Sequence, residues 1–147
     1  RTVSVRTGIA LGPEGGALQR MLLPFMLGLG GRLGHGRQWM SWIHVDDLVA
    51  LIVHALETDS LSGPLLGTSP TPATNADFTK ALGRALHRWT ILPMPAWQVR
   101  LLFGKVADVL LGSQRCRPQR TLASGFAFRH PELEPALNQL LRPAPVA

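Results

Sequence analysis

The sequence has no tyrosine and only one cysteine, Cys116, among its 147 residues. A single cysteine cannot form a disulfide within the chain, so a disulfide-stabilised secreted framework is excluded and a reducing, intracellular compartment is favoured. A catalytic thiol needs a matched base, and the sequence around Cys116 does not identify one. We therefore expect Cys116 to be a small residue packed beneath a loop.

Long apolar segments are also missing. The longest one, residues 17–30, is interrupted by Arg20 and Pro24 and is shorter than the roughly 20 residues that a membrane-spanning helix needs. We therefore expect no membrane-spanning segment. The chain starts at Arg1 rather than at methionine, so it carries no information about a targeting peptide, and we interpret it as a fragment of a longer protein.

Lysine is scarce, since Lys80 and Lys105 are the only two, yet fifteen basic residues outnumber nine acidic ones and give a net charge of +6. This charge favours an anionic partner. A phosphorylated cofactor satisfies it as well as a nucleic acid does, and the arginines are dispersed rather than clustered on one predicted helix. We therefore expect no nucleic-acid partner. The hydrophobic fraction of 46% argues against disorder and for a packed core.

Patterns of apolar residues and breakers predict alternating strands and helices. Residues 2–11 resemble a largely buried parallel strand, which the glycine-rich residues 12–16 end. A helix follows over residues 17–27, and Pro24 should kink it or split it in two. The pattern then predicts extended segments at residues 38–43, 64–68 and 89–92, and helices at residues 46–56, 74–87, 96–111, 118–124 and 131–141.

Two positions carry signals for the start of a helix. Asp46 precedes apolar residues with helical spacing, and its carboxylate can accept hydrogen bonds from the free amides of a first turn. Thr74 and Asp77 are three residues apart, as in a capping box, although aspartate replaces the preferred glutamate. We therefore expect side-chain caps at Asp46 and Thr74.

Three segments together resemble one protein family. They are GPEGGALQRMLLPFMLGLGGRLGHGRQWMSWIHVDDLVALIVHALE at residues 12–57, LGTSPTPATNADF at residues 66–78 and SQRCRPQRTLASGFAFRHPELEPAL at residues 113–137. The chain resembles the late part of an extended, atypical short-chain dehydrogenase/reductase of the epimerase family. This resemblance implies an α/β fold: the C-terminal part of a Rossmann-like doubly wound sheet over residues 1–70, followed by a small, mainly helical C-terminal domain on the substrate side over residues 71–147.

The resemblance also implies an activity for the intact protein. Such proteins are NADP-dependent oxidoreductases or epimerases that pass a hydride between the nicotinamide and a carbon of a small-molecule substrate, with a Tyr-x-x-x-Lys pair for proton transfer. This chain has no tyrosine and no glycine-rich dinucleotide turn, so we expect no catalytic residue in it and no activity from it alone. Two alternatives stay open: a non-catalytic cofactor-binding or regulatory protein on the same fold, and an inactive truncated product with an uncovered strand edge.

One wall of a cofactor site follows from the resemblance. The end of the first strand should face the nicotinamide half of NADP at Gly8, Ile9 and Ala10, with Ala10 the leading candidate. Small residues are expected there because the ring must approach the main chain closely. The alternative is an ordinary buried strand that leads into a glycine turn.

A second group of residues is implied on the substrate side of the cleft. Gln38, Trp39 and Trp42 are the candidates for substrate contact, since indoles and an amide can make a pocket wall with apolar faces and directional polar groups. The alternative is that both tryptophans belong to the core. Substrate identity does not follow from these residues.

Other polar clusters favour structural roles. His44, Asp46 and Asp47 offer imidazole and carboxylate ligands, but no further ligand has suitable spacing, so we expect no metal site. The loop at residues 12–16 lacks the spacing of a phosphate-binding turn and at most borders a substrate pocket. Three arginines could hold an anionic group of a substrate but are more typical of a solvated face; they are Arg115, Arg117 and Arg120.

Overall fold

The computed structural model describes residues 1–142 as a mixed α/β fold, which confirms the predicted class. Within these residues the strands are β1 (Val3–Thr7), β2 (Ile9–Leu11), β3 (Trp39–Met40), β4 (Trp42–His44), β5 (Gly63–Gly67) and β6 (Ala73–Thr74). The helices are α1 (Gly16–Met26), α2 (Val45–Glu57), α3 (Asn75–Ala85), α4 (Ala96–Phe103), α5 (Val106–Leu111), α6 (Gln119–Ala123) and α7 (Leu133–Leu140). In the described part of the chain, no helix is both long enough and apolar enough to cross a membrane.

Short strand pairs organise the N-terminal part. β1 pairs in parallel with β5, with Val5 opposite Leu65. β2 pairs in parallel with β4, with Ala10 opposite Ile43, and β3 pairs antiparallel with β6. Neighbouring parallel strands need a crossover connection, and α2 is the helix that joins β4 to β5.

Gly8 lies between β1 and β2, where the chain changes its pairing partner. The Gly8 amide donates to the Gly67 carbonyl at 3.0 Å, and the Ile9 amide donates to the Ser41 carbonyl at 2.8 Å. A Cβ atom at position 8 would lie 2.3 Å from the Ser41 carbonyl oxygen and 2.9 Å from Thr68 Cγ2. Strand packing alone therefore requires glycine at this position.

Most predicted helices are confirmed, but the helix breaks at Pro24 and at Gly104 differ from the prediction. Pro24 does not split α1, which stays a single helix, and the Pro24 carbonyl accepts a hydrogen bond from the Leu29 amide at 2.9 Å just beyond the helix end. The predicted helix at residues 96–111 is instead two helices. Gly104 ends α4 with a φ of 54°, a conformation that glycine adopts without strain.

One predicted cap is confirmed and the other is wrong. Thr74 caps α3: its hydroxyl accepts from the Asp77 amide at 3.2 Å, and the Asp77 carboxylate accepts from the Thr74 amide at 3.4 Å. Asp46 does not cap α2. That helix begins at Val45, so the capping residue is His44, two positions before Asp46, and its Nδ1 accepts from the Asp46 amide at 3.1 Å.

The predicted strand at residues 89–92 is also wrong. The Arg88 amide donates back to the Gly83 carbonyl at 2.9 Å, and His87 has a φ of 53°, so the chain leaves α3 through a tight turn. Trp89 projects into solvent and is 83% exposed. Close to the predicted strand, the chain forms one isolated parallel β-bridge, between Leu33 and Met94.

Two groups of buried apolar side chains form the core. The larger group joins α1, β4 and the later helices, so that Leu18, Trp42 and Leu137 belong to one cluster. The smaller group packs α2 against β5 and the loop that follows α6; its buried members are Leu51, Ala55, Leu65 and Phe126. The larger group contains residues from both sides of position 70, and the division of the chain there stays a prediction.

Candidate functional site

A cleft of about 950 Å³ opens where β1 passes into β2. One wall is this strand segment, a second is the start of α1, and a third is the segment after α5. Neutral side chains and main chain dominate the lining, and its charged members are Arg6 and Asp108. The cleft therefore lies at the carboxyl end of a strand, where open α/β sheets bind their ligands.

The three residues that we expect at a nicotinamide, Gly8, Ile9 and Ala10, all line this cleft. Ala10 is half-buried and pairs with Ile43, and its small side chain leaves the main chain accessible. Gly8 owes its lack of a side chain to the Ser41 carbonyl rather than to space for a ligand. Ala10 therefore remains the leading candidate for cofactor contact.

The structure brings only one of the three candidate substrate residues to the cleft. Trp39 lines it, and the guanidinium carbon of Arg115 lies 4.4 Å from the centroid of the Trp39 ring, within range of a cation–π contact. Trp42 is fully buried in the core and donates from its indole to the Thr71 carbonyl at 3.1 Å. Trp42 is therefore not exposed to a ligand in the cleft.

Gln38 is likewise buried away from the cleft. Its side-chain nitrogen donates to the Leu33 carbonyl at 2.9 Å, and its side-chain oxygen has no hydrogen-bond partner among the described residues. Gln38 therefore fixes the loop before β3, because its amide group binds the Leu33 backbone five residues earlier in the chain. Neither the sequence pattern nor its spacing distinguishes this role from substrate contact.

Ser41 joins the strand wall to the C-terminal wall of the cleft. Its hydroxyl donates to the Gln114 carbonyl at 2.6 Å and accepts from the Cys116 amide at 2.9 Å. The Gln114 amide also donates to the Trp39 carbonyl at 3.2 Å. The segment that carries Arg115 is therefore fixed alongside Trp39, a contact that the sequence could not reveal across more than seventy positions.

Thr68, at the end of β5, carries a buried hydroxyl with no partner among the described residues. Thr68 lines the cleft, and its methyl carbon, Cγ2, faces Gly8. A buried polar group without a partner is destabilising unless a ligand or water satisfies it. Thr68 is therefore a candidate binding residue that sequence analysis did not identify.

A histidine pair lies away from the cleft at the start of α2. The structure adds His130 to His44 and Asp46, and the potential ligand atoms of these three residues lie within 4.8 Å of one another. Both ring nitrogens of His44 are already engaged, with the Asp46 amide and with Gln139 Oε1 at 2.7 Å. The two imidazole rings stack at 3.9 Å, so we assign the cluster a structural role.

Asp47, in the first turn of α2, binds a distant part of the chain. Its side chain is fully buried, and its two oxygens accept from the Arg129 amide at 2.8 Å and the His130 amide at 2.9 Å. These bonds fix the loop before α7 to the first turn of α2. No local sequence signal indicates this contact, since the partners are 82 and 83 residues away.

The remaining predicted residues have modest roles. Arg120 donates to the Ser62 and Pro64 carbonyls and is therefore structural, while Arg117 is exposed. Cys116 is half-buried and lines the cleft, and Gly16 at the end of the glycine-rich loop lines it too.

Parallel strands, a crossover helix and a cleft at a strand end together define a Rossmann-like α/β segment. Residues 1–64 match the NAD dependent epimerase/dehydratase family, and residues 94–140 match a domain of unknown function, DUF1731. The match over residues 1–64 agrees with the epimerase family of the extended short-chain dehydrogenase/reductases, which the sequence motifs of this chain resemble.

Several relatives agree with this assignment. Human epimerase family protein SDR39U1 is 47% identical over 142 residues, which is 96% of this chain and 48% of the relative. A Mycobacterium tuberculosis epimerase family protein, MT2273, is 48% identical over 139 residues, which is 94% of this chain and 46% of the relative. The chain thus spans about half the length of the curated relatives it matches.

The fold agrees with a solved structure as well. A crystal structure of human epimerase family protein SDR39U1 (isoform 2) with NADPH superimposes with a TM-score of 0.90 at 46% sequence identity. The superposition covers 95% of this chain and 48% of the human chain. The predicted Rossmann-like architecture is therefore confirmed.

Proposed function

We infer that this chain forms the nicotinamide and substrate side of an NADPH-dependent oxidoreductase or epimerase. The observation that carries the inference is the cleft bordered by Gly8, Ile9 and Ala10 at the end of a parallel strand, in a chain similar to a protein crystallised with NADPH. The cleft volume of about 950 Å³ leaves room for a ring and a substrate together.

The residues of the cleft suit the nicotinamide end of the cofactor. Ala10 offers a small side chain, and Thr68 lines the cleft with a buried hydroxyl that has no partner among the described residues and would bind a polar ligand only after a small rearrangement. Arg6 at the rim contributes positive charge towards an anionic cofactor. These three residues are the ones that we assign to cofactor binding in this chain.

The substrate side is assigned to Trp39 and the segment that Ser41 holds beside it. Trp39 lines the cleft, and the Arg115 guanidinium lies over one face of its indole and restrains it. Bound NADPH supplies a hydride from its nicotinamide. Because the chain has no tyrosine, proton transfer to or from the substrate by a tyrosine requires a residue outside these 147.

The test uses a fused protein, in which the part of human SDR39U1 that this chain does not match precedes residue 1. Isothermal titration should show NADPH binding to the fused protein, and Ala10→Leu should weaken it at least about tenfold because the larger side chain fills the ring site. The control is Ala123→Leu on α6, an exposed position outside the cleft. Equal affinity of Ala10→Leu and the unmodified fusion would refute the assignment.

A further inference from the structure

Residues 89–101 expose several large apolar side chains. Thr90 packs back on α3, since a Cβ atom at Gly83 would lie 2.4 Å from Thr90 Cγ2, while its neighbours Trp89 and Ile91 are 83% and 76% exposed. On α4, Trp97 and Leu101 are four residues apart and share one helix face, where they are 64% and 79% exposed. A single exposed apolar residue is ordinary, but a group of this size marks an interaction site.

The end of α1 lies beside this segment. A Cβ atom at Gly31 would overlap the Leu92 carbonyl oxygen, so the two backbones are in direct contact there. The isolated β-bridge described above joins the same two segments. Leu27 and Leu29 precede Gly31 by four and two residues, and both are more than half exposed. The apolar surface of residues 89–101 therefore continues onto the chain that leaves α1.

The charge around this surface has one sign. The stretches between Glu14 and Asp46 and between Asp77 and Asp108 together contain eight lysines and arginines and no acidic residue. The rest of the chain contains seven basic and nine acidic residues. The whole positive excess of the chain therefore lies in the two stretches that form the apolar surface.

Three of these basic residues are next to the apolar side chains in the sequence. Arg32 follows the contact at Gly31, Arg88 precedes Trp89, and Arg100 precedes Leu101; all three are exposed. Arg100 also lies 4.0 Å from Asp108 in an exposed pair, which is weak and leaves the positive field largely intact. The surface thus combines apolar and aromatic side chains with a positive surround.

We propose that this surface attaches the protein to an anionic lipid membrane; its apolar members are Leu27, Leu29, Trp89, Ile91, Trp97 and Leu101. Tryptophan is enriched where membrane meets water, because its ring is apolar while its N–H group can bind water. Basic side chains around the rings attract anionic headgroups. Such side chains enter the headgroup region of one leaflet, so attachment requires no membrane-spanning segment. Membrane attachment goes beyond the proposed oxidoreductase function and does not depend on NADPH binding.

A second copy of this chain is a poorer occupant of the surface. Two copies joined here about a twofold axis would bring Arg32, Arg88 and Arg100 of each chain onto one interface. Like charges oppose such an association, whereas an anionic membrane offers the opposite charge to all of them.

Vesicle sedimentation with the fused protein tests the attachment. The bound fraction should be at least about tenfold larger with vesicles of phosphatidylcholine and phosphatidylglycerol in equal parts than with phosphatidylcholine alone, because anionic headgroups attract the basic residues. Added salt should lower it. Absence of binding by the fused protein, or equal binding to both kinds of vesicle, would overturn the proposal. Binding by the 147-residue chain alone would also overturn it, because the other half of the fused protein would then cover the surface.

Substitution of the exposed tryptophans locates the contact. Trp89→Ala combined with Trp97→Ala should weaken binding to the anionic vesicles at least about tenfold, since the surface loses both aromatic rings. The control is Leu122→Ala on α6, an exposed apolar residue outside the surface, which should leave binding unchanged. All three positions are exposed, so the melting temperatures should stay close to that of the unmodified protein. Equal binding by the double variant and the control would contradict attachment through this surface.

Tryptophan fluorescence gives an independent measurement. Lipids with brominated acyl chains quench a tryptophan that enters the bilayer, so anionic vesicles that contain them should quench the fused protein. The quenching should fall when Trp89 and Trp97 are both replaced by phenylalanine. Vesicle binding without this quenching would overturn the proposal, because another face would then contact the lipid. Self-association without vesicles that the double alanine variant abolishes would overturn it in favour of a second copy.

Discussion

β1 and β2 belong to one extended stretch of chain, yet their surroundings differ. β2 ends at Leu11, which is fully buried within the larger core group, and its partner β4 leads directly into the capped start of α2. β1 exposes Ser4, Arg6 and Thr7 and packs on the smaller group of buried residues. The cleft end of the stretch is enclosed by this chain, whereas the opposite end presents an open edge.

The difference shows which part of the molecule is packed by residues of this chain and which part is left uncovered. Ser41 at the cleft and Asp47 in the first turn of α2 bind backbone groups more than seventy residues away and fix the C-terminal region in place. At the open end, α2 and β1 offer apolar side chains and backbone groups that nothing in residues 1–142 covers. The cleft end should therefore be the more sensitive to single substitutions in the lone chain.

Asp47→Ala should have the largest effect on stability. It removes two hydrogen bonds to a buried carboxylate and leaves the Arg129 and His130 amides without partners, at a cost of about 3 to 5 kcal/mol in the free energy of unfolding. Urea denaturation measures this quantity. Asp46→Ala is the control, because the neighbouring carboxylate is half exposed and lies 3.7 Å or more from both histidines. Similar losses for the two variants would contradict the role assigned to Asp47.

Gly8→Ala should have a smaller effect at the junction of β1 and β2. The added methyl group would overlap the Ser41 carbonyl, so the strands must separate, at a cost of about 1 to 3 kcal/mol. Gly12→Ala is the matched control, since its nearest neighbour would be Val45 Cβ at 3.7 Å, an ordinary contact. Urea denaturation of the two variants should differ clearly, and equal stabilities would show that the junction is not close-packed.

Thr68→Val should have the smallest effect on the lone chain. The substitution removes a buried hydroxyl that has no partner in the described part of the chain and keeps the side-chain shape, so stability should stay within about 1 kcal/mol or rise. Thr121→Val is the comparison, because the Thr121 hydroxyl donates to the Leu66 carbonyl at 2.8 Å and its removal should destabilise the chain. A larger loss for Thr68→Val than for Thr121→Val would show that Thr68 has a structural partner.

Local signals in the sequence predicted local structure well. Thr74 and Asp77 form the expected capping box because both partners lie within one helical turn. Residues 2–11 form two strands divided at Gly8 rather than the single, largely buried strand that we expected, since Ser4, Arg6 and Thr7 of β1 are exposed. Most helices follow from apolar spacing, and the family motifs correctly indicated the Rossmann-like fold. Errors arose where two neighbouring signals competed, as when His44 rather than Asp46 capped α2.

The site was less predictable because distant contacts form it. Trp39 and Trp42 are three residues apart and chemically alike, but β3 directs one to the cleft and β4 buries the other. The cleft wall at residues 113–116 contacts Trp39 and Ser41 across more than seventy positions, and neither Trp39 nor the Ser41 hydroxyl has a local signature for these contacts. The hydrogen bonds of Asp47 could not be predicted from the sequence either, because their partners lie 82 and 83 residues away.

The most direct test of the account measures the distance from the cofactor to Ala10. In the fused protein with labelled alanine methyl groups and bound NADPH, nuclear Overhauser effects from the nicotinamide protons should reach the Ala10 methyl. Such contacts would place the nicotinamide in the cleft where β1 passes into β2. Contacts to other alanine methyls, with none to Ala10, would contradict the central claim that this strand end forms the cofactor site.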